Sequence, residues 1–447
     1  MRSIPSLYNL LRGSLITLPY LSYLGLVGLG VITLTLAGRW LTGSFRRTTP
    51  PVKRSSLDPI ASNGLWLLTG LLLISCIGAE DRGEAFLQLT NFLPFFLFFA
   101  VVLSILKPVE RLAQIALDLV ITAIPINLIA LGEYILRSNW IPRPMRRIPF
   151  VDWVRDRPHF GRATVMFNHP NALASYLVII LGLGLGLILY QATCQRFDRS
   201  PPFVQSPHLT KLLYLGTYSS LIGVFCSGSR NGLVVAVLQL MGFGLCWGRF
   251  LRVSRRVWLA VTAGVISILT GAAVFGIGGR SLLPTTWADD PRLRLWGIAL
   301  DLWRDRPWFG WGLGNYKFQF PERLLSAYPD CLAQRTLPVI PVECADVVHP
   351  HNFWLMMLAD GGIFVAIGFT VWVGYVCFCG VRSFSSKALI PTHKALLLAY
   401  LLAFTSCIAF ALFDVTLYDA RVNALNWMVL VGVDGARSGE WGMGNGE

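Results

Sequence analysis

Two of the six histidines of this chain lie within three residues of each other, in His349-Pro350-His351-Asn352, directly ahead of an apolar run that begins at Phe353. Histidine is the side chain whose ordinary pKa lets it take a proton near neutrality, so His351, with His349 beside it, reads as a general base. A metal centre would need third and fourth ligands at fitting spacing, and only Asp346 and Glu343 stand nearby. Base chemistry without a metal is therefore the preferred reading.

Arginines indicate what such a base would work on. Ser229-Arg230 sits in a turn, 226–232, too short for anything but a tight reversal. A lone cation at the mouth of an apolar bundle needs a partner to offset its desolvation, although snorkelling to the interface is the bland alternative. Arg292 follows Asp290-Pro291, a good N-cap and a good first-turn residue, so a helix should start there and stop near Pro307. Arginine in a first helical turn, where free N–H groups already attract anions, suits a bidentate phosphate contact, which is favoured for Arg292 over a local salt bridge with Asp289 or Asp290. Arg294 stands between the same phosphate role and a local salt bridge with Asp289 or Asp290. Arg162 precedes Asn168-His169-Pro170-Asn171 at the edge of a further apolar run, and is grouped with the phosphate-binding arginines. His169 there is either a ligand or base, or a satisfied cap at the helix start, with Asn171 in support.

These residues need a scaffold, and composition says which kind. The chain has 447 residues, 54% hydrophobic and only 14% charged, against about 25% charged in a soluble domain. About eleven or twelve apolar stretches are long enough to cross a hydrocarbon core as helices. They run roughly over 15–37, 60–78, 86–106, 112–136, 168–192, 211–226, 231–249, 257–277, 353–378, 395–413 and 422–434. Continuous runs such as Asn91 to Leu106 exclude a barrel, so the fold class is all-α polytopic. The first run, with no clear cleavage pattern and with arginines after it, reads as a retained span.

Basic residues crowd alternate short loops: Arg39 to Arg54, Lys107 and Arg111, Arg196 to Lys211, Arg249 to Arg256, and Arg382 to Lys394. The other short loops hold single arginines at 82, 230 and 421. The positive-inside rule then places 138–167, 227–231 and 278–352 together on the outer face. The organisation expected is a bundle over 1–277, a long outer loop over 278–352, closing helices over 353–434 and a polar tail over 435–447. Within the long loop, Leu293, Trp296, Leu300 and Trp303 form the apolar stripe expected to dock the helix. The alternate glycines of Phe309-Gly310-Trp311-Gly312-Leu313-Gly314-Asn315 read as a tight turn, not a nucleotide fingerprint. Of nine cysteines, only Cys331 and Cys344 lie in the outer loop, where an oxidising compartment would let them close a disulfide.

A net charge of +14 points to an anionic membrane surface or substrate; with so much apolar sequence, nucleic acid is the weakest reading. Asn168-His169-Pro170-Asn171, Ser229-Arg230, Arg292 to Trp296, Asp305 to Asn315, His351-Asn352 and Gly361-Gly362 together resemble the bacterial O-antigen ligase and polymerase superfamily. The resemblance covers about 160–365 and implies a multi-pass inner-membrane glycosyltransferase, commonly of twelve helices, acting on the periplasmic side. It would move a glycan from an undecaprenyl-diphosphate carrier to an acceptor hydroxyl, on lipid A-core in ligases and on another glycan in polymerases, without metal or nucleotide cofactor. Membrane lipids would surround it. Arg230 and Arg292 match the family's diphosphate-holding arginines and His351 its proposed base, with His349, Ser229 and Asn352 as helpers. Rival readings are a bicarbonate transporter, for which Asp118 and Asp414 are the acids nearest the spans, and a transferase with catalytic acids at Glu80 and Asp81.

Overall fold

The computed structural model describes residues 4–42, 59–106, 108–137, 161–196, 206–251, 290–336 and 344–437, with positions 263, 264, 271 and 340 besides. The loop arginines at 143, 146, 147, 155 and 157, nearly all of the expected span 257–277, and Arg280 lie outside the described residues. All described elements are helical, with no strand among them.

In chain order the helices are α1 Ile4–Thr17, α2 Ser22–Leu41, α3 Pro59–Ile77, α4 Arg82–Gln88, α5 Leu93–Val102, α6 Val109–Leu136, α7 Pro170–Arg196, α8 Pro207–Cys226 and α9 Arg230–Leu251. There follow α10 Pro291–Asp305, α11 Tyr316–Ala327, α12 Asp330–Gln334, α13 Phe353–Ser385, α14 Pro391–Ala411 and α15 Ala420–Arg437. Nine helices among the described residues are long and apolar enough to cross a membrane, α4 and α5 counting as one continuous segment. The expected final span, 422–434, falls in helix α15, which is mostly buried but is not among the nine helices apolar enough to count as spans. The helix continues through Gly435 to Arg437, past the expected start of the tail.

α7 is the axis of the bundle, enclosed along its whole apolar window. Helices can approach it because its glycines lack side chains: a Cβ on Gly186 would lie 2.1 Å from the Cα of Ala399 in α14. Small residues at helix contacts supply the packing that water cannot drive inside a membrane.

The first expected span is corrected. Instead of one helix over 15–37 the chain makes two, broken at 18–21 around Pro19, where a proline ring disfavours helix in the residue before it. α1 and α2 then form a tight antiparallel pair, in which a Cβ on Gly25 would lie 2.7 Å from the Cα of Leu18. The Tyr8 hydroxyl donates to the Arg111 carbonyl (3.2 Å), and Arg12 forks onto Asp118 at 2.6 and 3.0 Å. Tyr20 donates to the Thr122 carbonyl, so α1 runs beside α6 in the same direction. At about 1.5 Å per residue it reaches only part of the way through. Ile4 therefore lies at the Arg111 end of the bundle, and Asp118 anchors a half-span there.

At the opposite end the glycine-rich segment is nailed to α13. Gly310, Gly312 and Gly314 all have left-handed backbone (φ 66°, 102° and 71°), as does Gly362 (φ 74°), where α13 kinks. The kink leaves carbonyls without helical partners, and the loop fills them: Trp311 N–H donates to Ala359 O (3.1 Å) and Gly312 N–H to Asp360 O (2.8 Å). The Asp360 carboxylate accepts from Gly314 N–H (2.9 Å) and Tyr316 N–H (2.8 Å). Asn315 completes the clip by accepting from Asp81 N–H (2.8 Å) and donating to Asp81 O (3.1 Å). A Cβ on Gly312 would lie 2.1 Å from that of Ala79, so the tight-turn reading of the glycines holds.

α10 begins and ends where expected, with Asp290 Oδ1 accepting from Arg292 N–H at 3.0 Å. Its docking stripe differs. Leu295, Ile298, Ala299 and Leu302 are the buried positions, packed with Tyr316, Phe320, Leu324 and Ala359, whereas Leu293 is 49% exposed. The aromatic row attracts attention in the sequence, yet close helix packing selects the smaller residues at i, i+3, i+4 and i+7. Trp296 and Trp303 flank the contact. Cys331 and Cys344 are joined as a disulfide, with Cα atoms 5.2 Å apart.

Candidate active site

Four chain segments meet at the end of the bundle that carries the glycine clip: 161–171, 227–231, 349–352 and 412–415. The co-location expected from the basic loops is thus present among the described residues.

His351 is placed by the start of α13. Asn352 caps that helix, its Oδ1 accepting from Leu355 N–H (3.0 Å), and its Nδ2 donates to Leu412 O (2.9 Å) at the close of α14. This ties the two helix ends together and sets His351 opposite Asp414, with 3.0 Å between His351 Nδ1 and Asp414 Oδ1. His351 has left-handed backbone at φ 50°, a conformation that costs of order 1–3 kcal/mol outside glycine and is tolerated here because the flanking contacts fix it.

Asp414, named in the sequence only as an acid near a span end, joins this site. Its carboxylate is 7% exposed. Oδ1 also accepts from Val415 N–H (2.8 Å), and Oδ2 accepts from Asn171 Nδ2 (2.6 Å). Burial pushes the carboxyl up, but the hydrogen bond from His351 and the charges of His351, His349 and His169 outweigh it and hold Asp414 well below the usual carboxylate range. An ionised carboxylate only accepts, so His351 carries its proton on Nδ1 and leaves the Nε2 lone pair free. The signal in the sequence was an acid directly after the apolar run 395–413; nothing local linked it to a histidine 63 positions away.

His349 supports this arrangement from the side. Its Nδ1 accepts the backbone N–H of His351 (3.3 Å), and its ring meets His351 edge-on (4.6 Å) and stacks on Tyr418 (5.8 Å). Burial, reinforced by His351 and opposed by Asp414, pushes His349 down to about 4. Its folded-state pKa therefore lies below the unfolded value near 6.5, and the stability it contributes is complete above pH 6.5 and lost as pH falls through about 4. Thermal unfolding followed across that window should show midpoints falling with acid in the native chain, and a shallower fall in His349→Gln. Equal slopes would contradict the assignment.

Arg162 points inward. Its Nε donates to Ser227 O and its Nη2 to Asn171 Oδ1, both at 2.8 Å, and the residue is 6% exposed. His169 caps the start of α7, its Nδ1 accepting from Asn171 N–H at 3.1 Å, which is the capping alternative of the two posed for it. Ser229 accepts from Gly232 N–H (3.2 Å) at the start of α9, whose first residue is Arg230. Asn231 Nδ2 donates to Phe410 O (3.2 Å), so α9 begins beside the end of α14 that holds Asp414.

Arg292 is half-buried in the first turn of α10, its Nη1 4.0 Å from Asp290 Oδ2. One turn on, Trp296 packs against Phe413 with ring centres 6.3 Å apart, which turns the Arg292 face of α10 toward the Asp414 corner. Arg294 is separated from this group: its guanidinium lies 4.5 Å over the Tyr328 ring. His349, His351 and Asp414 each offer one donor atom, all within 4.8 Å of one another, a spacing at which these three could also share a metal ion. Asp414 supplies the third donor that the neighbouring sequence lacked.

The fold and this site define an all-α, multi-pass membrane protein with a histidine–carboxylate pair at one end of the bundle and arginines at two helix starts around it. Residues 215–370 match the family model for O-antigen ligase. That segment holds Arg230, Arg292, the glycine clip and His351, and stops short of Asn171 and Asp414 on either side. No curated protein matches the chain.

Proposed function

We propose that the protein is a glycosyltransferase that moves a glycan from undecaprenyl diphosphate to an acceptor hydroxyl, on lipid A-core or on another glycan. It works at the periplasmic face of a bacterial inner membrane. The observation that carries this reading is the His351–Asp414 pair, which leaves Nε2 of His351 as a free proton acceptor beside two helix starts that each bear an arginine. The superfamily match supports the reaction class.

In the proposed step His351 Nε2 takes the acceptor's hydroxyl proton while the oxygen attacks the anomeric carbon. The bond from that carbon to the diphosphate oxygen breaks, and the leaving electron pair stays on the diphosphate. Asp414 holds the imidazole in the correct tautomer and offsets the charge of the imidazolium that forms. Arg230 and Arg292 face the growing negative charge with fixed donors, which favours the transition state over the ground state. The leaving group is a stable anion, so no second carboxylic acid is needed to protonate it.

The test uses the full chain in nanodiscs with undecaprenyl-diphosphate-linked oligosaccharide as donor and lipid A-core as acceptor, and with bicarbonate-loaded vesicles in a parallel arm. Glycan transfer at neutral pH is the expected outcome. Saturable bicarbonate flux with no transfer would overturn the proposal.

A further inference from the structure

Asn171 is the only contact of Asp414 Oδ2 among the hydrogen bonds described, and it is held by a donor that can bind it one way round. A side-chain amide has unlike ends, an accepting oxygen and a donating nitrogen. Arginine only donates. Arg162 Nη2 at 2.8 Å therefore claims Asn171 Oδ1, which turns the NH2 group onto Asp414 at 2.6 Å. Arg162 is itself fixed through Nε to Ser227 O at 2.8 Å, and Asn171 is pinned through its backbone N–H to His169 Nδ1 at 3.1 Å. The chain of contacts Ser227–Arg162–Asn171–Asp414–His351 thus crosses four separate segments without a gap. Arg162 and Asp414 are both nearly enclosed, at 6% and 5% exposure.

The consequence for Asp414 is that both oxygens have their donors: His351 Nδ1–H and Val415 N–H on one, Asn171 on the other. An enclosed carboxylate oxygen stripped of its donor carries the full desolvation penalty. It escapes by rotating or by taking a proton, and either event releases the imidazole. We propose that Asn171 is a positioning residue which, oriented by Arg162, holds Asp414 so that His351 keeps its proton on Nδ1 and offers Nε2 to the acceptor. This rests on the reading of His351 as the base, but the state of the His351 ring can be measured whether or not transfer occurs. It gives Arg162 a part in building the site, where its sequence position had suggested direct contact with the diphosphate.

Two variants test the proposal. Asn171→Leu removes both ends of the amide. Asn171→Asp keeps its shape and turns the hydrogen bond from Arg162 into an ion pair, so the chain should stay folded, but it faces Asp414 with an acceptor. Two-bond 1H–15N spectra of histidine-labelled protein in nanodiscs report which ring nitrogen is protonated, and His351→Gln assigns the signal. Native protein should show the Nδ1–H form for His351, and both Asn171 variants should shift it toward the Nε2–H form that free histidine prefers, as Asp414→Asn does. In the transfer assay each Asn171 variant should lose on the order of 10²-fold in kcat, the effect of misplacing a reacting group by about 1 Å, with donor KM unchanged. Asn171→Leu combined with Asp414→Asn should lose no more than Asp414→Asn alone, since residues acting through one another are non-additive. A native His351 tautomer in both Asn171 variants would overturn the proposal, as would losses that simply add. If native protein transfers no glycan, the function proposed above fails, while the tautomer result still decides the part played by Asn171.

Discussion

His351→Ala is expected to lower kcat for glycan transfer by roughly 10²–10⁴-fold, the usual worth of a positioned general base, and to leave donor KM and the unfolding temperature near their native values. The ring is on the surface of the site rather than in the core, with 29% of its side chain exposed, so truncation opens no sealed cavity. His351→Gln should lose as much, because an amide keeps the hydrogen bond to Asp414 but accepts no proton at neutral pH. Asp414→Asn should fall in the same range by a different route. A neutral amide no longer selects the Nδ1–H tautomer, so Nε2 spends its time protonated and unable to act as base. Single-turnover assays in nanodiscs, with native and variant chains matched for insertion, separate these effects from binding. Native turnover by His351→Ala would remove the base from the proposed mechanism.

Asp414 also shows where the sequence stopped being informative. The apolar lengths reveal an all-helical membrane chain, because each helix must satisfy its own backbone inside hydrocarbon. The caps of α10 and the tight glycine turn were equally legible, since each depends on residues close together in the chain, and the shared face of the outer loops follows from the alternation of basic loops along it. Three features were not. Hydropathy reads straight through the break at Pro19 between α1 and α2, and the docking of α1 as a half-span depends on Arg12 meeting Asp118, 106 positions away. The buried stripe of α10 was displaced because tryptophan outweighs alanine in any apolar count, while a close helix contact needs the reverse. Asp414 looked like an isolated acid near a span end because its partners, Asn171 and His351, come from helices that meet only in the folded bundle. Local chemistry and sidedness are visible in sequence; which side chains from distant segments pair is not.

The arginines give the second large effect, and they divide by where the fold turns them. Arg292→Ala should reduce kcat/KM for the donor by about 10²–10³-fold, the range for removing one fixed donor to a developing anion. Arg230→Ala should do the same, because Arg230 opens α9 beside the α14 end that bears Asp414. Lysine at either position keeps the charge but loses the planar fork, so Arg292→Lys should recover only part of the loss. Arg294 provides the internal control, two residues along the same helix but stacked on Tyr328 at 4.5 Å. Its replacement by alanine should leave donor kcat/KM within a few-fold of native and act mainly through the packing of α10 on α11. A loss for Arg294→Ala as large as that for Arg292→Ala would show that charge near the site matters and geometry does not. The expected split instead ties catalysis to the first turn of α10, where Arg292 and Trp296 share a face and Phe413 carries that face to the neighbour of Asp414.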